Sequence, residues 1–368
     1  MQSHLIEAVI KGLRLPVIQA PMAGGPSSVD LLASVIQEGL VGSFGFAYSE
    51  AHTIESQILA VRSRIAGPIN ANFFIFEAIE APDAGELQRA SEALSRLSFF
   101  TRTLPASVDA ISILRESESR ASTAPFFPSL EEQLEAVWRL RPELLSFHFG
   151  LPPAWVFEKA RHFEIPITIT ATCLAEAQEI EHSGAAAIIA QGIEAGGHQG
   201  YFDHRLASPP STSTSTFELV RDIKARCKLP VIAAGGIMNG SDIRNALSAG
   251  ACAVQMGTAF LACDESGATR EHKHLLTHEP QRGTVLTRAF SGRYARGLRN
   301  AFTEAMSDQP VLAFPQQNSL SAALRQESSR QANGEFQSLW AGTGYAQCRA
   351  EPVRTLVNRL VLEFQTQS

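Results

Sequence analysis

Eight short apolar runs, separated by amphipathic stretches of helical length, constrain this chain more than any other feature. The runs are Leu15–Ala20, Val41–Phe46, Ile69–Phe76, Leu144–Phe149, Ile165–Ala171, Ala186–Gln191, Leu229–Ala234 and Cys252–Thr258. Between them, Val29–Glu38, Thr53–Arg64, Ala154–Phe163, Ala175–His182, Phe217–Arg226 and Ser241–Ser248 read as helices. Continuous apolar strands joined by helices imply a parallel sheet covered by helices. A count of eight predicts that the sheet closes into a (β/α)8 TIM barrel. Gly39, Gly184 and Gly250 each fall between a helix and the next strand, where a left-handed C-cap is wanted.

Two segments break the alternation. Glu77–Pro128 is about twice the usual length of a βα unit, and a second stretch runs from about Gly267 to Tyr345. Together they predict a smaller, mainly helical lid over the barrel mouth. The expected division is a barrel of residues 1–76 plus 129–266, and a lid with a C-terminal extension of residues 77–128 plus 267–368. Ser208–Thr216 (SPPSTSTST) reads as a mobile low-complexity loop.

Composition narrows the function. The chain has 368 residues, 45% of them hydrophobic, and a net charge of −6. No basic stripe offers itself to nucleic acid, and no apolar run approaches the ~20 residues of a membrane span. Met1–Pro16 lacks the apolar core of a signal peptide, so a cytoplasmic protein is expected, as a monomer or homodimer. Five scattered cysteines with no CxxC pair argue against disulfides or zinc. His274 and His278 have helical metal-pair spacing but no evident third ligand, so the run His272–His278 reads as a solvated helix face and no metal is expected.

Chemistry in such barrels gathers at the C-terminal strand ends, with phosphate after the seventh and eighth strands. There the sequence reads Ala234-Gly235-Gly236-Ile237 and Met256-Gly257-Thr258-Ala259. These glycines either let backbone N–H groups approach a phosphate or simply make tight turns; their pairing on adjacent strands favours the phosphate. Gln191 to Gly200 carries four glycines around His198, a candidate proton carrier or anion ligand; Gly196 and Gly197 hold its backbone near a flat or charged group. Gln191 could reach a ring heteroatom. In the first strand's QAPMAGG the apolar Pro21-Met22 step before Gly24-Gly25 suits packing under an aromatic ring, with Ala20 and Met22 as candidate cofactor contacts. Asn70 and Asn72 should share one face, and His148 could line the same mouth.

QAPMAGG at 19–25, HFG at 148–150, QGIEAGGHQG at 191–200, AAGGI at 233–237 and GTAFLACDES at 257–266 together resemble nitronate monooxygenases, in particular their larger class I branch. SGRYARG at 291–297 and LWAGTG at 339–344 extend the resemblance. EAGGH alone is shared with related flavin enzymes, including FabK-type enoyl reductases. The resemblance implies FMN, a lidded barrel, and oxidation of alkyl nitronates such as propionate 3-nitronate by O2 to carbonyl compound and nitrite, without a nicotinamide. It implies phosphate at Gly235, Gly236, Gly257 and Thr258, with Met22, Asn72 and Gln191 facing the isoalloxazine. His198 would be the active-site histidine, protonated or hydrogen-bonding to hold a small anion, and acting as base only toward a neutral nitroalkane. The alternatives are an NAD(P)H-dependent FMN reductase of a quinone or enoyl thioester, and a non-catalytic phosphate-binding barrel.

Overall fold

The computed structural model describes residues 3–76, 80–95, 110–123, 126–203 and 214–366. Residues 208–213 of the SPPSTSTST stretch lie outside these, as do parts of the 77–128 insertion.

All eight expected strands form: β1 (Val17–Gln19), β2 (Gly42–Gly45), β3 (Ile69–Phe74), β4 (Leu144–His148), β5 (Ile167–Ala171), β6 (Ala187–Gln191), β8 (Val231–Ala234) and β9 (Ala253–Met256). Every pairing between them is parallel, in the order β1-β9-β8-β6-β5-β4-β3-β2. A parallel bridge between Ile18 and Val41, with Gln19 N donating to Val41 O at 2.9 Å, closes the ring. The fold is a TIM barrel. Its helices sit where the apolar period places them. Helix 216–226, for example, starts on a capping box between Ser215 and Glu218, which satisfies two N-terminal backbone groups at once.

Side chains alternate along each strand. On β4, Leu145 and Phe147 pack outward among the surrounding helices, while Leu144 joins an inner cluster with Ile18, Val41, Ile189, Ile232 and Ala253. Helix Ser3–Lys11 plugs that apolar end: Ile6 is fully buried in the inner cluster, with Ile10 against it. Toward the other end the inward positions turn polar, through Asn72, Thr170, Gln191 and Gln255. Water-filled or ligand-filled space is therefore favoured at the strands' C-terminal ends.

A second, separate core joins the two segments expected to form the lid. Ala90, Leu94 and Ala121 pack with Phe290, Phe302, Met306, Leu320, Leu324 and Phe336. This part is not helical throughout: β10 (Thr284–Thr287) and β11 (Ala295–Leu298) form an antiparallel sheet with β7, the two-residue strand Gly197–His198. Helix Val353–Gln365, by contrast, packs against helices Gly240–Ser248 and Val29–Gln37 of the barrel wall, burying Val353, Leu356, Val357 and Leu360.

Candidate active site

At the C-terminal mouth lies a cavity of about 590 Å³. Of the strand-end residues singled out from the sequence, all but Asn70 line it: Ala20 and Met22 after β1, Asn72 on β3, His148 ending β4, Gln191 ending β6, then Gly196, Gly197 and His198, Gly235 and Gly236 after β8, and Gly257 and Thr258 after β9. Asn70 faces the barrel interior below them and donates to Ser43 Oγ.

Two of the glycine turns have a steric reason for their residue type. Gly235 and Gly236 have φ of +120° and +69°, which strain any side-chain-bearing residue. A Cβ at Gly257 would press on the Ala20 methyl at 3.3 Å and narrow the cavity wall. Among the described residues no protein acceptor takes the amide protons of Gly235, Gly236 or Thr258. All three residues line the cavity and are half-exposed, so their amides are open to an anionic ligand.

His198 is held in one orientation and one tautomer. Its Nε2 lies 2.9 Å from Ser291 Oγ. The single Ser291 proton is donated to the Arg293 carbonyl at 3.0 Å. Ser291 Oγ must therefore accept from His198, which places the ring proton on Nε2 and leaves Nδ1 with a free lone pair. Nδ1 has no protein partner among the described residues and is not buried. Phe74, Phe149, Phe314 and Trp340 surround the ring with centroids 5.5–6.1 Å away. Burial lowers the His198 pKa to about 3, helped by His148, Arg293 and Arg325 nearby. Of the two expected forms, protonated or hydrogen-bonding, this shift favours the neutral, hydrogen-bonding one.

His148 and Gln191 support that ring from behind. His148 Nε2 donates to the His198 carbonyl at 3.2 Å, and its Nδ1 faces Thr170 Oγ1 at 3.0 Å. Gln191 Nε2 donates to the same carbonyl at 3.0 Å, and Gln191 Oε1 accepts from Gly200 N at 2.8 Å. Both side chains are committed to the loop. Asn72 donates to Ser146, which leaves its Oδ1 toward the cavity.

Several lining residues carried no sequence signal that was read as a site: Tyr48, Asn318, Arg325 and Trp340 come from loops and from the separate core's helices. His272 is a correction. It is buried against the cavity, not solvated, and burial lowers its pKa to about 4. The signal was present, since Leu275 and Leu276 three and four residues on share its buried face. His274 and His278 stack on each other at 4.4 Å on the other side of that helix.

The loop bearing Gly196 packs backbone to backbone on Ala341-Gly342: a Cβ at Gly196 would lie 2.5 Å from Gly342 N. Gly342 N in turn donates to Thr258 Oγ1 at 2.9 Å. All the segments that resemble one family, except SGRYARG at 291–297, thus line one cavity. A family model described as nitronate monooxygenase matches residues 7–363. The chain belongs to the nitronate monooxygenase family. It is 37% identical to a nitronate monooxygenase of Paraburkholderia phytofirmans over 96% of this chain and 93% of the relative. It is 36% identical to one of Pseudomonas aeruginosa over 96% and 97%. Among solved structures, a nitroalkane oxidase from Streptomyces ansochromogenes superposes with a TM-score of 0.86 at 32% identity, covering 97% of both chains. FabK from Thermotoga maritima shares the fold, with a TM-score of 0.71 at 21% identity over 98% and 95%. As a nitronate monooxygenase family member the protein is an oxidoreductase. No described helix is long and apolar enough to cross a membrane.

Proposed function

We propose that the protein binds FMN and oxidises alkyl nitronates with O2, releasing a carbonyl compound and nitrite. The observation that carries this reading is a single cavity holding both unclaimed amide donors at Gly235, Gly236 and Thr258 and the free Nδ1 of a ring-locked His198. The residues present fit FMN. The glycine turns would take its one phosphate, Ala20 and Met22 would pack beside the ring system, and Asn72 Oδ1 would accept from a ring N–H. Bound there, the flavin supplies the electron acceptor and the route to O2.

The chain's own work is binding, orientation and proton placement. A nitronate arrives already deprotonated, so it needs a donor-lined, dry pocket rather than a base. A neutral nitroalkane must first lose its α-proton, and His198 Nδ1 is the acceptor positioned to take it. The resulting imidazolium would sit among aromatic rings and near Arg293 and Arg325, which makes neutral nitroalkanes the poorer substrates. His148 and Gln191 act by fixing the His198 backbone.

The test is anaerobic mixing of the purified holoprotein with ethyl nitronate and, separately, with NADH, followed by cofactor release and chromatography. The expected result is a yellow protein that releases FMN, is bleached by nitronate, and forms nitrite once O2 is admitted. Rapid bleaching by NADH alone would replace this reading with the reductase. His198→Asn is expected to keep its FMN and to lose about ten- to a hundredfold in kcat/KM on nitroethane, with a smaller loss on ethyl nitronate.

A further inference from the structure

We infer that Arg325 is the anion anchor of the cavity, a fixed guanidinium that receives a small planar oxyanion group of the substrate. The inference rests on the proposed nitronate chemistry for the identity of that substrate, but not for the anion site itself.

Arg325 lies on helix Ala322–Arg330 and lines the cavity together with Tyr48, Asn318 and Gln326. Its Nε donates to Ser321 Oγ at 3.1 Å, and its Nη2 donates to Asn318 O at 2.7 Å and Asn318 Oδ1 at 2.9 Å. All three acceptors are uncharged, and together they lock the plane of the group. Nη1 has no protein partner among the described residues, and it is not buried. No described carboxylate forms an ion pair with Arg325. The group is half-buried, with Nη1 its open edge, and a partly desolvated cation gains from a counter-charge placed beside it. The missing counter-charge is what an anionic substrate brings.

The other groups facing this part of the molecule cannot play that part. His148 and His198 are held near pKa 3 and His272 near 4, all first by burial, so they are neutral at ordinary pH. Tyr48 is pushed up to about 12 by burial and stays protonated. Arg293 spends its charge on the Phe149 and Tyr201 rings, 3.8 and 4.6 Å from its Cζ, and donates to the Tyr201 carbonyl. Among the described residues, Arg325 is the cation left with a donor open to the cavity. A planar guanidinium also matches a planar oxyanion better than a point charge does.

Nitrate, a planar anion that the flavin cannot oxidise, is the probe. Its dissociation constant is read from the flavin absorbance change of the holoprotein. In the wild type, affinity is expected to be constant from pH 6.5 to 9; a tenfold fall per pH unit would assign the site to a histidine and overturn the proposal. Arg325→Gln is expected to bind nitrate about ten- to a hundredfold more weakly at unchanged FMN stoichiometry, and Arg325→Lys to recover part of that loss. Wild-type nitrate affinity in Arg325→Gln would equally overturn it. Should Arg325→Gln fail to fold, the wild-type pH series and Arg325→Lys still decide.

The two sources of the anionic group are separated by turnover. A rise in KM for ethyl nitronate in the variant assigns Arg325 to the nitronate head. A rise confined to propionate 3-nitronate assigns it to the carboxylate. If nitronates are not oxidised at all while nitrate binding still depends on Arg325, the proposed function fails and the anion site stands.

Discussion

Ser291 has one proton, and giving it to Arg293 O decides which nitrogen of His198 faces the cavity. Removing the hydroxyl in Ser291→Ala frees the ring to exchange tautomers and leaves the Nε2 proton without its acceptor. One hydrogen bond of ordinary net worth corresponds to about a five- to tenfold loss in kcat/KM on nitroethane. Ethyl nitronate turnover should stay within about twofold, because a preformed anion needs no proton acceptor. Steady-state kinetics on both substrates check this, and Ser291→Thr should restore the nitroethane rate. Equal losses on both substrates would mean that Ser291 is merely structural. At this scale the sequence was uneven. That His198, Gly236 and Thr258 line the mouth was legible, because barrel topology brings the C-terminal strand ends together there. Arg325 was not, because a helical arginine between Leu324 and Gln326 looks like any surface charge. Its enclosure comes from Asn318, Ser321 and Tyr48, contacts that no local pattern encodes.

The eight barrel strands, built from local pattern, were read; helices Ser3–Lys11, Leu130–Leu140 and Val353–Gln365 were not named, and β7, built from distant pairing, was not read either. Each barrel strand announces itself as an apolar run, and each βα unit closes over a short span of chain. β7 is two residues long and exists only because β11, almost a hundred residues later, pairs with it: His198 sits opposite Ala295. The EAGGH loop is therefore clamped on two sides, by this sheet and by the Gly342 backbone. Gly196→Ala tests the second clamp. The new methyl would meet main chain at 2.5 Å, where neither partner is a flexible side-chain tip. A destabilisation of about 1–3 kcal/mol is expected, read as a lower urea midpoint, with faster FMN loss. Gly236→Asp tests the wall across the cavity. It places a carboxylate where a phosphate is proposed and forces a side chain onto φ +69°. Loss of FMN from a still-folded barrel is expected by absorbance and circular dichroism; full FMN stoichiometry would move the phosphate site elsewhere.

Over the whole molecule, buried histidines tie stability to pH. His148, His198 and His272 are neutral in the fold down to about pH 3 or 4, but in the unfolded chain they take up protons near pH 6.5. Between those values the unfolded state binds more protons, so stability falls as pH falls. Glu176, whose pKa burial raises, works the other way. The thermal midpoint should drop steadily from pH 6.5 to 4.5, and less steeply in His272→Gln; equal slopes would remove His272 from the balance. The second core, assembled from two distant stretches of chain, has a further effect, during synthesis. Leu94 emerges from the ribosome about 200 residues before Phe290, its partner in the small core. At 5–20 residues per second, helix Ala84–Ser95 waits roughly 10–40 s with its apolar face uncovered. That interval is long enough for a chaperone to engage, and this stretch of the nascent chain is where it would find something to hold.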